Sequence, residues 1–205
     1  MKGFKDYRHT LEIDLYKSKE DLWNNIDKKA KWGVNKAKKL SLVVKQCEGR
    51  DHLIDFYGCY KETCFHGGIN PLHIEEIKDF VLLGCFKDDR LIAGVCLKKG
   101  KDKVELVLNG SYKQVLKYQP NNLLYWEMIC WAWDEGFLVI DLGGYQPKTK
   151  EGDKLDNINK FKEHWGGELK VYPIYSWNLF KILGRKSVRN NRNLMKLNNW
   201  VRGRK

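Results

Sequence analysis

The 205-residue sequence predicts a mixed α/β domain, a sheet in an α+β arrangement, and three observations carry that prediction. Residues 81–108 hold three short apolar runs in succession, separated by the polar turns Lys87-Asp88-Asp89 and Lys99-Gly100-Lys101-Asp102, the pattern of an antiparallel meander. Residues 118–177 read as apolar helix, short buried strand, glycine turn, second helix, strand, the closing order of an α/β layer whose strand tips face a cleft. At the front, residues 8–15 alternate, with His9, Leu11, Ile13 and Leu15 on one side, as a half-buried strand does.

Taken in order, Ser18 caps a helix with Glu20 and Asp21 in its first turn, where the helix dipole favours acids. Leu22, Trp23 and Ile26 give it an apolar face, and the pattern continues, bent near Gly33, to about Leu40. Its second half is dense in lysine. Residues 41–46 form a short strand. Residues 51–65 are helical, with Leu53, Ile54, Tyr57, Cys59 and Tyr60 on the apolar side, ended by Gly67-Gly68. A further helix is expected over 71–80. After the meander, Pro120-Asn121-Asn122 opens an apolar helix that Gly136 closes. Residues 137–142 are a continuous apolar strand running into the turn Gly143-Gly144. Leu155, Ile158, Phe161 and Trp165 share one helical face, Gly166-Gly167 stops that helix, and residues 169–175 alternate again.

With 42% hydrophobic residues the chain can bury a sizeable core. No apolar run reaches the roughly 20 residues of a membrane span, and the N-terminus lacks the apolar centre of a signal peptide. The expectation is a soluble, cytoplasmic protein. Six cysteines sit mostly within apolar runs, which fits packed, reduced thiols; Cys59, Cys64 and His66 match no standard zinc spacing, so no metal site is expected. A net charge of +12 points to anionic partners: nucleic acid, a phosphate-bearing substrate or an acidic membrane surface. Composition shifts after Trp177. Residues 178–205 interleave Lys and Arg with Leu, Ile, Met and Trp and contain no acid, which sets a basic amphipathic tail (178–205) apart from a domain spanning residues 1–177. Such a tail fits nucleic acid, an anionic membrane, or the flank of its own domain.

The segments Pro120-Asn121-Asn122-Leu123-Leu124, Asp141-Leu142-Gly143-Gly144 and Phe161-Lys162-x-x-Trp165-Gly166-Gly167 resemble, in their order and spacing, the Fem-type aminoacyltransferases and related single-domain acyltransferases. These form the FemAB-like branch of the GNAT (Gcn5-related acyltransferase) superfamily, and the likeness extends loosely upstream to about Leu11. The resemblance implies a GNAT-like acyl-CoA N-acyltransferase fold in a single copy. It implies an acyl or aminoacyl transfer from aminoacyl-tRNA or acyl-CoA, with no bound cofactor, to an amine or hydroxyl of a cell-wall precursor or sugar. It also places Lys162, with Phe161 beside it, at the donor site, and gives the lysine-rich helix, here Lys36 and Lys39, to an anionic substrate. Relatives favour arginine there, whereas this chain has only lysine, which holds a phosphate as a point charge. Familiar tRNA-dependent members carry two GNAT-like halves. One half fits in this chain, so dimerisation is one route to the other.

Acyl transfer from an activated ester or thioester needs positioning, a proton acceptor and oxyanion stabilisation. Lys162 is the leading candidate for the last, and Asp141, at a strand tip, for orienting an amine or accepting a proton. Asp141 suits equally well the bonding of its own glycine turn. Gly143 and Gly144 permit a tight turn and close approach of a ligand to backbone. Asn121 and Asn122 begin a helix where exposed N–H groups attract anions, and they serve equally as plain caps. The glycine-rich pyrophosphate loop of ordinary GNAT enzymes is replaced by Tyr118-Gln119-Pro120-Asn121-Asn122, which weighs against acetyl-CoA as the donor. The contrasting reading is a non-catalytic GNAT-like module that binds RNA or an anionic surface through its basic tail.

Overall fold

The computed structural model of the chain describes residues 4–176. The basic segment 178–205 lies outside the described residues. Packing groups His9–Lys170 into one compact unit and assigns Phe4–Arg8 and Val171–Ser176 to another; the candidate site residues all belong to the first. Among the described residues no helix is long and apolar enough to cross a membrane.

Seven strands form one mixed sheet in the order β2-β3-β4-β5-β6-β1-β7. The first strand, β1 (Phe4–Asp14), starts four residues ahead of the expected alternation. Two helices follow. In α1 (Lys19–Asn25) the Ser18 hydroxyl accepts the N–H of Asp21. In α2 (Lys28–Lys39) the Asp27 carboxylate accepts the N–H of Lys29 at 2.7 Å. The expected single helix is therefore broken at Ile26-Asp27 and not bent at Gly33. Ile26 is extended, and an aspartate one residue on competes for the backbone as a new cap. Gly33 has a packing role instead: a Cβ there would lie 2.5 Å from the Asn122 side chain.

Beyond β2 (Val43–Cys47), α3 (Arg50–Gly67) ends on Gly68 in the left-handed conformation, φ +66°. The helix expected over 71–80 shrinks to α4 (Ile74–Ile77), a single turn closed by a capping box between His73 and Glu76. The meander is as expected: β3 (Val81–Lys87), β4 (Arg90–Lys99) and β5 (Lys103–Ser111) pair antiparallel. Asp88 and Asp89, at φ 50° and 58°, make the two-residue turn whose twist matches a hairpin. β5 stays paired with β4 three residues past its expected end and carries a bulge: Cys96 and Leu97 of β4 oppose Leu108 and Leu106, which leaves Val107 as the extra residue. A 3-10 turn (Lys113–Tyr118) that the pattern did not signal leads to α5 (Pro120–Asp134), β6 (Val139–Gly144), α6 (Lys154–Glu163) and β7 (Glu168–Ser176).

Alternation along the strands builds a core on each face. Leu83, Cys85, Ala93, Val95, Val104, Leu106, Ile140 and Leu142 face α1, α2 and α5 in the larger core. Leu82, Leu91 and Cys96 face α3 and α4 in the smaller one. α5 is apolar nearly all round, and this is why it lies at the centre of the larger core. All six cysteines are unpaired, and four are buried. Desolvation pushes the thiols of Cys59, Cys85 and Cys96 from 9.0 up to about 12. Between those values the folded chain keeps protons the unfolded chain has released. Stability in urea, measured under reducing conditions, therefore falls as pH rises from 9 toward 12. Below pH 9 these groups leave stability flat.

Candidate active site

The site follows from one irregularity in the sheet. Among the pairings of β1 to β6, only β5 and β6 run parallel, and their pairing stops after Lys103↔Val139, Val104↔Ile140 and Glu105↔Asp141. Past that point β5 stays with β4 as far as Ser111↔Ala93, while β6 stays with β1 as far as Thr10↔Gly144. The two strands thus part at Leu106 and Leu142. α5 begins at the far end of one arm and α6 follows the other.

Each arm holds one end of the candidate set. On β6, Asp141 is 1% exposed and its Oδ1 accepts the N–H of Gly143 at 2.8 Å and the hydroxyl proton of Thr10. Gly143 sits at φ +77°, and a Cβ there would meet the carbonyl oxygen of Leu106 at 2.8 Å. Thr10↔Gly144 and Glu12↔Asp141 show that β6 spends three steps where β1 spends two. The diglycine expected as a turn is thus a bulge inside the strand, and Asp141 fastens it. Lys162, on the last turn of α6, is only 9% exposed and donates from Nζ to the Gly144 carbonyl at 2.8 Å. Its ammonium is held at the tip of β6.

On the other arm, Asn121 donates from Nδ2 to Ser111 Oγ at 3.3 Å, while its Oδ1 is buried without a hydrogen-bond partner. Asn122 faces away, toward α2, and donates to Gln119 Oε1 at 2.7 Å. The first turn of α5 offers few donors to an anion. Pro120 has no N–H, and those of Asn122 and Leu123 already go to Gln119 O, at 3.1 and 3.4 Å. A pyrophosphate cradle of the glycine-rich kind does not fit here.

An open groove of about 400 Å³ lies where α2, α5 and α6 meet, lined by Lys28, Lys29, Trp32, Gln119, Asn122, Phe161 and His164. Its end is tied shut by the Asp27 N–H, which donates to His164 O at 2.8 Å. Gly166 explains part of the Trp-Gly-Gly signature: at φ +73° it passes so close to Asn25 that a Cβ would sit 2.5 Å from that side chain. Phe161 packs edge-on against Tyr125, ring centres 4.9 Å apart. Lys36 lies 4.9 Å above the Trp32 ring and Lys39 is exposed further along α2; neither lines the groove. Lys28, Lys29, Trp32 and His164 do; the first three belong to the lysine-rich stretch expected to meet an anion, though none of the four was singled out from the sequence. Helical spacing was the available signal, since Lys28, Trp32 and Lys36 recur on one face of α2. The expected apolar face of α6 is also different. Leu155 and Ile158 are exposed, and Asn159 and Lys162 are turned inward. Asn159 is drawn in by the loop after β6, whose Gln146 it bonds through both amide atoms, at 3.2 and 2.8 Å.

The polar face of the sheet continues beneath Asp141. Lys103 Nζ lies 2.7 Å from Glu12 Oε1 and 3.4 Å from Asp141 Oδ2, with both carboxylates buried. Replacing Lys103 by Met leaves two facing carboxylates without this cation. The expected loss is about 2–3 kcal/mol in urea unfolding, below the roughly 3–5 of a fully buried pair because Lys103 is part-exposed. Among the described residues no cluster of His, Cys, Asp and Glu could hold a metal ion.

Residues 75–157 match the family model described as an acetyltransferase (GNAT) domain. Among solved structures, FemX resembles the chain with a TM-score of 0.70 at 14% identity, over 82% of this chain and 62% of that one. The C-terminal domain of a putative lysylphosphatidylglycerol synthetase from Agrobacterium fabrum follows at 0.61 and 11%, over 82% and 60%. L-PGS from Bacillus licheniformis follows at 0.59 and 11%, over 86% and 62%. The chain thus spans about three fifths of the length of each. No curated protein sequence matches it. The family match, residues 75–157, takes in the strands that part, and the likeness to FemX shows a shared fold over most of the chain.

Proposed function

We propose that the split between β5 and β6 holds an activated acyl or aminoacyl carrier, and that the chain passes the group to an amine or hydroxyl of a cell-wall precursor or sugar-type acceptor. The observation that carries this reading is the Lys162 ammonium, buried at the tip of β6 where the strands part. A nucleophile adding to the carrier's carbonyl carbon makes a new C–N or C–O bond and puts negative charge on the carbonyl oxygen. As the C–O or C–S bond to the carrier breaks, the nucleophile's proton passes to the leaving group or to solvent. A desolvated cation aimed at that oxygen lowers the barrier. Asn121 Oδ1, buried and unpartnered, is suited to accept an N–H, and an incoming amine supplies one. Asp141 holds the bulge under Lys162, and Phe161, the residue before it, lines the neighbouring groove with Lys28 and Lys29 of α2.

The donor-poor start of α5 favours aminoacyl-tRNA over a coenzyme A thioester. One of the similar structures comes from a putative synthetase named for a lysyl product, in keeping with an aminoacyl donor. The test supplies the protein with labelled aminoacyl-tRNA, and separately with labelled acyl-CoA, against amine and hydroxyl acceptors. Transfer from aminoacyl-tRNA is expected. Transfer from acyl-CoA alone overturns the donor assignment, and transfer from neither overturns the reading.

A further inference from the structure

We infer that Thr10 is a positioning residue for Lys162, acting through Asp141 and the Gly143 bulge; this rests on the proposed role of Lys162. Thr10 is fully buried on β1, directly opposite Gly144. Its hydroxyl has one proton and two acceptors, the Asp141 carboxylate and the Gly143 carbonyl, the latter at 2.9 Å. The same carboxylate oxygen takes the Gly143 N–H at 2.8 Å. The bulge residue is thus gripped at its N–H by Asp141, and its carbonyl shares the one Thr10 hydroxyl proton with that carboxylate. The other carboxylate oxygen faces Lys103, which anchors Asp141 in turn. Gly143 can hold φ +77° because it lacks a Cβ, and with both its polar groups engaged the next peptide has one orientation. That peptide carries Gly144 O, the acceptor of the Lys162 ammonium at 2.8 Å. Bulges beside active sites re-aim side chains, and here the aimed group is a lysine on a helix 18 residues away in sequence.

The arrangement exceeds what a strand needs to stay paired. β1 and β6 are already joined by backbone bonds on both sides of the irregularity. A buried hydroxyl spent on a carboxylate and a bulge carbonyl stabilises one geometry of the tip. Loss of the hydroxyl frees the Gly143–Gly144 peptide to turn, and the Lys162 ammonium follows its acceptor.

The comparison uses Thr10→Val, which removes the hydroxyl and keeps the shape, and Thr10→Ser, which keeps the hydroxyl. One readout needs no turnover: the rate at which an amine-acylating reagent labels Lys162 in the native chain, by peptide mass spectrometry, relative to half-buried Lys36 and exposed Lys39. The Val variant is expected to label Lys162 several-fold faster, with Lys36 and Lys39 unchanged, and the Ser variant to restore the wild-type ratio. In the transfer assay, kcat of the Val variant falls about ten- to hundredfold, the scale of a catalytic group displaced by an ångström, with KM little changed. Wild-type labelling in the Val variant overturns the inference, as does a Ser variant as altered as the Val one. Where Thr10→Val unfolds, Asp141→Asn carries the same labelling comparison, and an unchanged Lys162 rate there also overturns it. Should Lys162→Ala keep full turnover, the role proposed for Lys162 is lost, while the labelling ratio still decides whether Thr10 positions it.

Discussion

Lys162→Ala lowers kcat by about 10²–10³-fold, the scale on which the loss of one oxyanion donor acts. The ammonium is expected to be worth this much because it is desolvated. At 9% exposure, with Gly144 O as its acceptor, it is in place before substrate arrives and needs no reorganisation as charge develops. Alanine also deletes a buried stem, so Lys162→Met, which keeps the stem and removes the charge, is the necessary companion. If charge is what matters, both variants lose turnover alike and the Met variant keeps wild-type stability. The kinetic pattern separates two roles for the cation. Contact with the developing oxyanion lowers kcat and kcat/KM together, whereas a hold on a donor phosphate raises KM and spares kcat. Equal turnover in wild type and Lys162→Ala removes Lys162 from the mechanism.

Gly143→Ala is the substitution expected to cost most in stability, and its neighbour provides the control. At Gly143, φ of +77° alone penalises a side chain by about 1–3 kcal/mol. The added Cβ would also lie 2.8 Å from the backbone oxygen of Leu106, which cannot swing aside as a side chain tip would. At Gly144 a Cβ meets nothing within 4 Å, and φ is not positive. Thermal unfolding is therefore expected to drop by about 4–10 °C for Gly143→Ala, at about 2–4 °C per kcal/mol for a chain of this size, and to stay near wild type for Gly144→Ala. Equal behaviour of the two would mean that the bulge is not the tight point of the sheet.

Much of the architecture was legible in residue pattern. The meander was readable because period-two alternation and the Lys-Asp-Asp turn are local signals, and α5 because Pro120 and Gly136 punctuate an apolar run. Reading failed where a distant partner overrode local preference. Leu155 and Ile158 follow helical spacing toward a core, yet α6 is rotated by the bonds of Asn159 to Gln146 and of Lys162 to Gly144, so these two face outward. The helix expected to bend at Gly33 breaks earlier, because the Asp27 cap, tied through its N–H to His164, starts a new axis. Lys36 and Lys39 were singled out among the α2 lysines, whereas the groove takes Lys28 and Lys29, a choice set by where α6 ends.

By itself the sequence determined the order of elements, the apolar faces of most strands and the family likeness, since each rests on neighbours along the chain or on short motifs. Only the tertiary structure decided that β5 and β6 part after three paired positions, that the Gly143-Gly144 step is a bulge and not a turn, and that Lys162 is turned inward onto it. Those features depend on contacts between residues about 20 to 130 positions apart, such as Thr10 with Asp141. Periodicity reports which face a residue prefers, and carries no information about which distant backbone will fill the space beside it.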